Sequence, residues 1–382
     1  MIKETMTRKE RMWAAVKLQP YDRVPVAPLL DVMFPAKHAG MTLAQAFADY
    51  KGKGWQSMVD LFDEIGGWDG FLLPGYSTSP NPKHPVAGRT GKMKYPGVEL
   101  PPDSPPQYIE DTSMSVQDYD DIINLGWWGW AEKLRRASPV PLEKSIAWAE
   151  RQLTQWRREV ATWETRGTPS LIGAIVSSPL MTLSTSRSMT TFALDIHRMP
   201  DKVQAVMDAM VDDLIINTIE VAHLTGVPGV MLVLERGGGF YFPLKVFERF
   251  EMPYIKKMVQ AFAKEGFITQ LHFDQDWTLN LPYLLDLPAK MCICELDSKT
   301  DIFKAKEILG HHMCIAGDVS AGLQAVGTPQ EMETYCQKLI NVVGKETGLI
   351  LSSGCTVAAD CKFENFKAMI DTAKNYHPHN LP

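Results

Sequence analysis

Short runs of apolar residues recur along the chain, and most are followed by a stretch whose apolar positions fall three and four apart. The runs lie at 24–30, 70–75, 170–176, 229–234, 267–273, 291–296, 313–319 and 348–354. Continuous apolar runs of this length read as strands buried on both faces, and the spacing between them reads as amphipathic helices covering those faces. Eight such units in order, with no ninth, predict an α/β protein whose sheet closes into a (β/α)8 TIM barrel rather than staying open. In the first two units Pro25, Pro28 and Pro74 interrupt the pattern. A helix over 7–19, with Met12, Ala15 and Val16 on one face, precedes them all.

One region breaks the repeat. Residues 76–106 are rich in Pro, Gly and Ser and read as loop, with a hairpin around 93–98. Helices are expected to follow at 116–137 and 142–166. The insertion is too long for a simple strand-to-helix connection. It predicts a helical cap over 76–166, between strands two and three, lying across the barrel mouth. The whole chain, 1–382, reads as one barrel domain.

Composition narrows the class without naming a chemistry. The 382 residues carry a net charge of −6 and no basic stripe, which argues against a nucleic-acid partner. No apolar run approaches the ~18 residues of a membrane span. The charged amino terminus, MIKETMTRKERM, lacks the apolar segment of a signal peptide. All six cysteines (Cys292, Cys294, Cys314, Cys336, Cys355 and Cys361) fall in the last quarter of the chain, unlike an extracellular disulfide framework. A cytoplasmic location is the expectation.

In a barrel, chemistry sits at or just beyond the carboxyl ends of the strands. Strand four runs into Glu235, Arg236 and the Gly237-Gly238-Gly239 turn. Strand five ends in His272-Phe273-Asp274, strand six in Cys294-Glu295, strand seven in Gly317-Asp318 and strand eight in Gly354-Cys355. His272, Glu295 and Cys355 supply an imidazole, a carboxylate and a thiolate. Three such ligands with one position open are what a catalytic zinc requires. A histidine or a cysteine alone at a strand end is usually packing; the coincidence on neighbouring strands is what points to metal. The remaining cysteines read as strand and helix packing. Gly237-Gly238-Gly239 lacks the spacing of a dinucleotide loop. Trp127-Trp128-x-Trp130, Phe240-Tyr241-Phe242 and Trp277 fall near the expected mouth. Of these, Phe240, Tyr241 and Trp277 are candidates for a wall against an aromatic substrate.

The residues also resemble a family. Arg23-Val24-Pro25-Val26, Phe247-x-x-Phe250-x-x-Pro253-Tyr254-x-Lys256, His272-x-Asp274, Gly317-Asp318, and Gly354-Cys355 followed by Glu364-Asn365-Phe366-Lys367-Ala368-Met369 are similar to the uroporphyrinogen decarboxylase superfamily, in particular its zinc- and corrinoid-dependent methyltransferase branch. That resemblance implies zinc held by His272, Glu295 and Cys355, and a corrinoid (cobalamin) carried by a partner protein. Asp274 stands where those enzymes carry their first cysteine. It is a candidate catalytic residue or fourth ligand, and Glu235 a candidate ligand or proton donor. Replacing a thiolate by a carboxylate leaves a harder Lewis acid, suited to an ether or alcohol oxygen. The expected activity is therefore O-demethylation, in which a methyl group moves from a methoxylated aromatic compound to the Co(I) corrinoid of the partner. Methyl-corrinoid:thiol transfer of the coenzyme M type is the alternative. Porphyrinogen decarboxylation fits less well, because the first strand leads to Asp31-Val32-Met33-Phe34-Pro35 with no arginine to grip carboxylates. A non-catalytic binding barrel is the rival from outside enzymology. A homodimer stays open beside a monomer.

Overall fold

A computed structural model describes residues 4–73 and 92–376. Its strands, in chain order, are β1 (Lys92–Lys94), β2 (Gln107–Ile109), β3 (Ala174–Ser177), β4 (Gly229–Val233), β5 (Ile268–Phe273), β6 (Cys292–Leu296), β7 (Cys314–Val319) and β8 (Leu349–Ser353). β3 to β8 form one parallel sheet in sequential order. They match the third to eighth apolar runs. At the first two barrel positions the expected strands shrink to single bridges, Val26 with Leu351 and Phe71 with Ser170.

Those bridges still close the ring. Ala27 N donates to Leu351 O and Leu351 N to Pro25 O, both at 2.9 Å, and Asp69 N reaches Val26 O at 2.8 Å. Phe71 N then donates to Pro169 O and Leu171 N to Phe71 O, again at 2.9 Å. Pro25 and Pro28 have no amide hydrogen to give to a ladder, which accounts for the thin pairing there. Positions 74 and 75, the end of the second run, lie outside the described residues. Among the described residues no helix is long and apolar enough to cross a membrane.

The barrel interior and the layer between sheet and helices are separate cores. Ala27, Leu29, Leu72, Met231, Ile268, Ile293, Cys314, Ala316 and Ile350 fill the interior. Their strand neighbours, including Leu232, Leu271, Cys292, Cys294 and Ile315, face the helices instead, as the period-two alternation of strand side chains requires. The helix Arg8–Val16, capped by a reciprocal Thr7–Glu10 box, inserts Met12, Ala15 and Val16 into the interior core. It closes the barrel at the amino ends of the strands. Gly70 lets Met12 pack closely there, since a Cβ would meet its side chain at 2.7 Å.

The insertion departs in detail from the expected cap. β1 pairs antiparallel with β2, Lys92 opposite Ile109, so the partner of 92–94 lies beyond a turn rather than within 93–98. Residues 76–91 of the expected cap lie outside the described residues. Helix Val116–Ala137 breaks at Gly126, whose φ is 75°, and its Trp128 N donates to Asp213 on helix Pro200–Thr225. Helix Leu142–Glu164 ends with Trp163 stacked on Phe71 at 4.1 Å, and leads to the amino end of β3. Trp127, Trp130, Trp156 and Trp163 are buried, whereas Trp148 is substantially exposed. The part of the insertion that reaches the mouth is the stretch around Glu110. Tyr108 OH donates to Thr185 O at 2.7 Å, and Arg236, beyond β4, holds both Glu110 oxygens at 3.0 and 2.9 Å.

Candidate functional site

Parallel pairing brings the polar strand ends together. Val233 lies opposite His272, and His272 opposite Glu295. β8 ends one residue before Gly354, whose N donates to Val319 O at 2.9 Å. A Cβ at Gly354 would meet the Asp297 backbone at 2.8 Å, so glycine is what lets the chain swing Cys355 inward.

His272, Asp274 and Cys355 converge, with one ligand atom from each lying within 4.8 Å of the others. The His272 Nε2 atom stands 3.8 Å from Asp274 Oδ1 and 3.9 Å from Glu235 Oε1. Glu295, expected as a ligand, lies on the other side of the ring: its Oε2 meets His272 Nδ1 at 3.0 Å and accepts from Gln270 Nε2 at 2.5 Å. The grouping thus has Asp274 where the sequence reading has Glu295, and Glu295 orients the imidazole from behind. A carboxylate on the far nitrogen of a ligating histidine fixes its tautomer and raises its basicity.

The electrostatics fit a cation. Burial works against charge on His272, but the Glu295 carboxylate and hydrogen bonds with Cys355 and Glu295 outweigh it and hold the imidazole well above its usual range. Burial, with Glu235, Asp297 and Glu295 nearby, pushes the Asp274 carboxyl up to about 6 against the pull of His272. In the protein alone, then, the cluster takes up protons to balance its negative charge. Asp274 Oδ1 and Glu295 Oε1 are buried and have no hydrogen-bond partner among the described residues. Nitrogen, carboxylate and thiolate donors with orphaned buried oxygens are a set that zinc satisfies.

The glycine turn after Glu235 lies flat for a stated reason. A Cβ at Gly237 would meet Glu251 Oε1 at 2.6 Å, and one at Gly238 the Trp277 ring at 2.7 Å. Gly239 N donates to Asn280 Oδ1 at 3.1 Å. Trp277, expected on the substrate wall, is 0% exposed. It packs against Phe273 and Phe247 beneath the turn, with Nε1 donating to Asp274 O. It supports the turn and cannot face a ligand there. Phe240 and Tyr241 emerge at 60% and 40% exposure, edge-to-face at 4.9 Å. Behind them an open groove of about 550 Å³ is lined by Tyr241, Phe242, Pro243 and Arg249, among others. The other expected tryptophans, Trp127 and Trp130, pack on each other within the insertion at 4.8 Å.

Three acids and one amide contribute to the mouth without having been singled out from the sequence as site residues. Gln270 shares a strand face with His272, a period-two signal that the apolar run 267–273 partly hides. Glu251 is fully enclosed, bonded by Ser178 Oγ at 2.8 Å, and burial raises its carboxyl to about 8. Asp318 accepts from Tyr335 OH at 2.7 Å, and Asp31 is buried just past the first bridge. Asp318 is legible at the end of the seventh strand; only burial distinguishes Glu251 and Asp31 from surface carboxylates, and burial is not written in the sequence.

Comparison with known proteins places the chain in a family. A family profile for uroporphyrinogen decarboxylase (URO-D) matches residues 161–376. Methylcobamide:CoM methyltransferase MtbA of Methanosarcina mazei is 28% identical over 141 residues, 37% of this chain and 38% of the relative. A uroporphyrinogen decarboxylase of Chlorobium phaeovibrioides is 29% identical over 133 residues, 34% of this chain and 37% of the relative. The chain therefore matches less than two fifths of the length of either curated relative. Among solved structures, a methyltransferase from Methanosarcina mazei superposes with a TM-score of 0.69 at 17% identity, covering 97% of this chain and 98% of that one. At that identity the likeness speaks for the fold.

Proposed function

The chain belongs to the uroporphyrinogen decarboxylase family, and from that premise we propose that it removes the methyl group of a methoxylated aromatic compound and delivers it to the Co(I) corrinoid of a partner protein. The observation that carries this reading is the convergence of His272, Asp274 and Cys355, one carboxylate and one thiolate around one imidazole. These three residues would hold zinc, with Glu295 fixing His272 from Nδ1 and Glu235 a further carboxylate beside Nε2. When bound, the metal supplies a Lewis acid for an ether oxygen. A set with a single thiolate donates less charge than one with two, which suits that role better than delivery of a thiolate nucleophile.

The chain's own residues do the positioning. Phe240 and Tyr241 offer faces to an aromatic ring at the rim, and Trp277 and Glu251 keep the turn that carries them flat. The Glu110–Arg236 pair ties the insertion to the end of β4, so this part of the insertion serves as a lid on one side of the mouth.

The relatives named methylcobamide:CoM methyltransferase favour a second reading, transfer from a methyl-corrinoid to a thiol. The acids at the mouth disfavour decarboxylation of a porphyrinogen, because Glu235, Asp274, Glu295 and Asp318 would repel a polyanion. Metal analysis together with methylation of cob(I)alamin by methoxyarenes, methanol and methylamines tests the proposal. Zinc is expected at about one per chain. Guaiacol-like ethers should exceed methanol by at least ~100-fold, or ~2.7 kcal/mol of discrimination. Methylcobalamin-to-thiol transfer faster than any ether cleavage would reverse the direction. A protein that binds no metal and moves no methyl group would leave a ligand-binding barrel.

A further inference from the structure

The backbone just past Asp274 is tied down, while one of the Asp274 side-chain oxygens is left free. Trp277 Nε1 donates to Asp274 O at 2.8 Å. The next residue, Gln275, has a φ of 69°, a left-handed conformation unfavourable for a residue with a side chain. Such a residue persists where its surroundings over-determine it. Here both of its backbone groups are held. Gln275 N donates to Asp297 Oδ2 at 2.8 Å, and Gln275 O accepts from Thr300 Oγ1 at 3.0 Å. Thr300 Oγ1 in turn accepts from Trp277 N at 2.9 Å. Asp274 Oδ1, by contrast, is buried with no hydrogen-bond partner among the described residues.

Asp297 also meets the other side of the site. It directly follows β6, two residues beyond Glu295, whose Oε2 meets His272 Nδ1 at 3.0 Å. Its Oδ1 accepts from Lys299 N at 2.9 Å, a local turn that fixes the direction of the carboxylate. Its backbone lies against Gly354, where a Cβ would come within 2.8 Å of Asp297 C and 3.0 Å of Asp297 O. Gly354 immediately precedes Cys355. The end of β6 thus touches the chain at or next to each of the three converging residues. Glu295 meets His272, the Asp297 carboxylate holds the residue after Asp274, and the Asp297 backbone holds the residue before Cys355.

We propose, on the zinc-binding reading given under Proposed function, that Asp297 is the positioning residue of the metal site, setting the spacing between Asp274 and Cys355. Thr300 holds the same loop from the other backbone group of Gln275. In this role Asp297 ligates nothing; it acts through Gln275 on one side and Gly354 on the other. A ligand whose backbone is fixed before the cation arrives gives up little freedom when it binds, so affinity and coordination geometry are built into the protein alone. The role does not depend on which methyl donor the protein uses.

The test titrates the full-length, metal-free protein with zinc against a chelating dye, and with Co(II) as a spectroscopic substitute. Asp297→Ala should weaken zinc binding by about 10- to 100-fold, the scale of losing a group that orients a ligand. Its cobalt form should keep the thiolate charge-transfer band of Cys355 and lose visible intensity as Asp274 gives way to water. Asp297→Asn removes the charge but keeps one acceptor, and should lose less than Asp297→Ala. Thr300→Val removes the Gln275 bond without changing charge and should weaken zinc by roughly 10-fold. Thr300→Ser, which keeps the hydroxyl, should stay near the parent. A lower urea midpoint of the metal-free variants, with zinc affinity of the folded chains unchanged, means a merely structural role and overturns the proposal. An equal loss in both Asp297 variants with Thr300→Val at the parent value also overturns it, because charge alone then accounts for the effect. If Asp297→Ala does not fold, the Thr300 pair decides by the same criterion. A parent protein that binds no zinc overturns the metal reading itself, and the positioning role with it.

Discussion

At the amino ends of the strands, Arg11 and Arg23 clasp Asp69 at 2.7 and 2.6 Å, and Arg11 reaches Asp22 at 2.6 Å. At the carboxyl ends, Asp274 and Glu295 each leave a buried oxygen without a partner. Both ends are rich in buried charge, but among the described residues only the first is balanced by cations. Burial alone would push Asp22 up; the Arg11 bond and the amides of Met6 and Thr5 hold it well below the usual carboxylate range. Burial does push Asp274, Asp318 and Glu251 up, because His272, Tyr335 and Ser178 oppose it only in part. One end is built as a plug whose charges stabilise the fold. The other keeps charge unsatisfied, the arrangement expected where a cation and a substrate complete the set.

The sharpest way to break that comparison is to remove one group at each end. Cys355→Ala should lose most of the zinc and lower turnover by at least ~1000-fold, while leaving the urea midpoint of the metal-free protein near that of the parent. Cys336→Ala, altered on a buried helix face and outside the His272–Asp274–Cys355 grouping, should keep both metal and activity. Retention of stoichiometric zinc and normal turnover in Cys355→Ala would remove the mouth from consideration as a metal site. Asp69→Ala should do the reverse. It leaves two buried guanidinium groups short of a partner and should cost about 3–5 kcal/mol in urea unfolding, with zinc content per folded chain unchanged. A small stability loss there would mean the plug is not what holds the amino end.

The same two ends differ in how far they can be read from sequence. The parallel strands β3 to β8 are continuous apolar runs, and their order follows from alternation with helices. The plug helix is legible because Met12, Ala15 and Val16 share a face. The first two barrel positions are not, since Pro25 and Pro28 reduce them to bridges that only the closed ring completes. At the mouth, residue types at strand ends give His272, Glu295 and Cys355 as the ligand set with Asp274 as a further candidate, but not which side of the imidazole each acid takes. Glu295 and Asp274 exchange roles because strand register, rather than residue type, decides which ring nitrogen each meets. Trp277 likewise reads as an exposed aromatic in a loop, and only the packing of the glycine turn shows it to be support.

A smaller effect separates the ends by pH. Glu251 is enclosed beneath the glycine turn with no cation acting on it among the described residues, and burial pushes its carboxyl up to about 8 from an ordinary value of 4.5. Between those values the unfolded chain has lost a proton that the folded chain keeps. Stability attributable to this group is therefore full below pH 4.5 and declines as pH rises toward 8, by up to about 1.4 kcal/mol per pH unit. Glu251→Gln should flatten that part of the profile and make the variant relatively more stable at pH 8 than at pH 5, as read by urea unfolding at each pH. A profile of unchanged slope would show that Glu251 is not kept neutral by the fold.

The finest distinction lies within the mouth, at the one position where the sequence departs from the pattern it resembles. Asp274 gives the cluster a carboxylate in place of a second thiolate, and Trp277 Nε1 fixes the backbone there by donating to Asp274 O. That backbone contact does not depend on the side chain, so Asp274→Cys should leave the turn in place and retain zinc. A second thiolate would donate more charge to the metal and weaken it as an acid for an ether oxygen. Ether cleavage should fall by about tenfold, ~1.4 kcal/mol of transition-state stabilisation, while methylcobalamin-to-thiol transfer rises relative to it. The ratio of the two rates, measured on one preparation of known zinc content, isolates ligand chemistry from differences in folding or loading. If the ratio stays at the parent value, the choice between oxygen and sulfur is made by the aromatic rim at Phe240 and Tyr241, and the residue at 274 serves only to complete the charge.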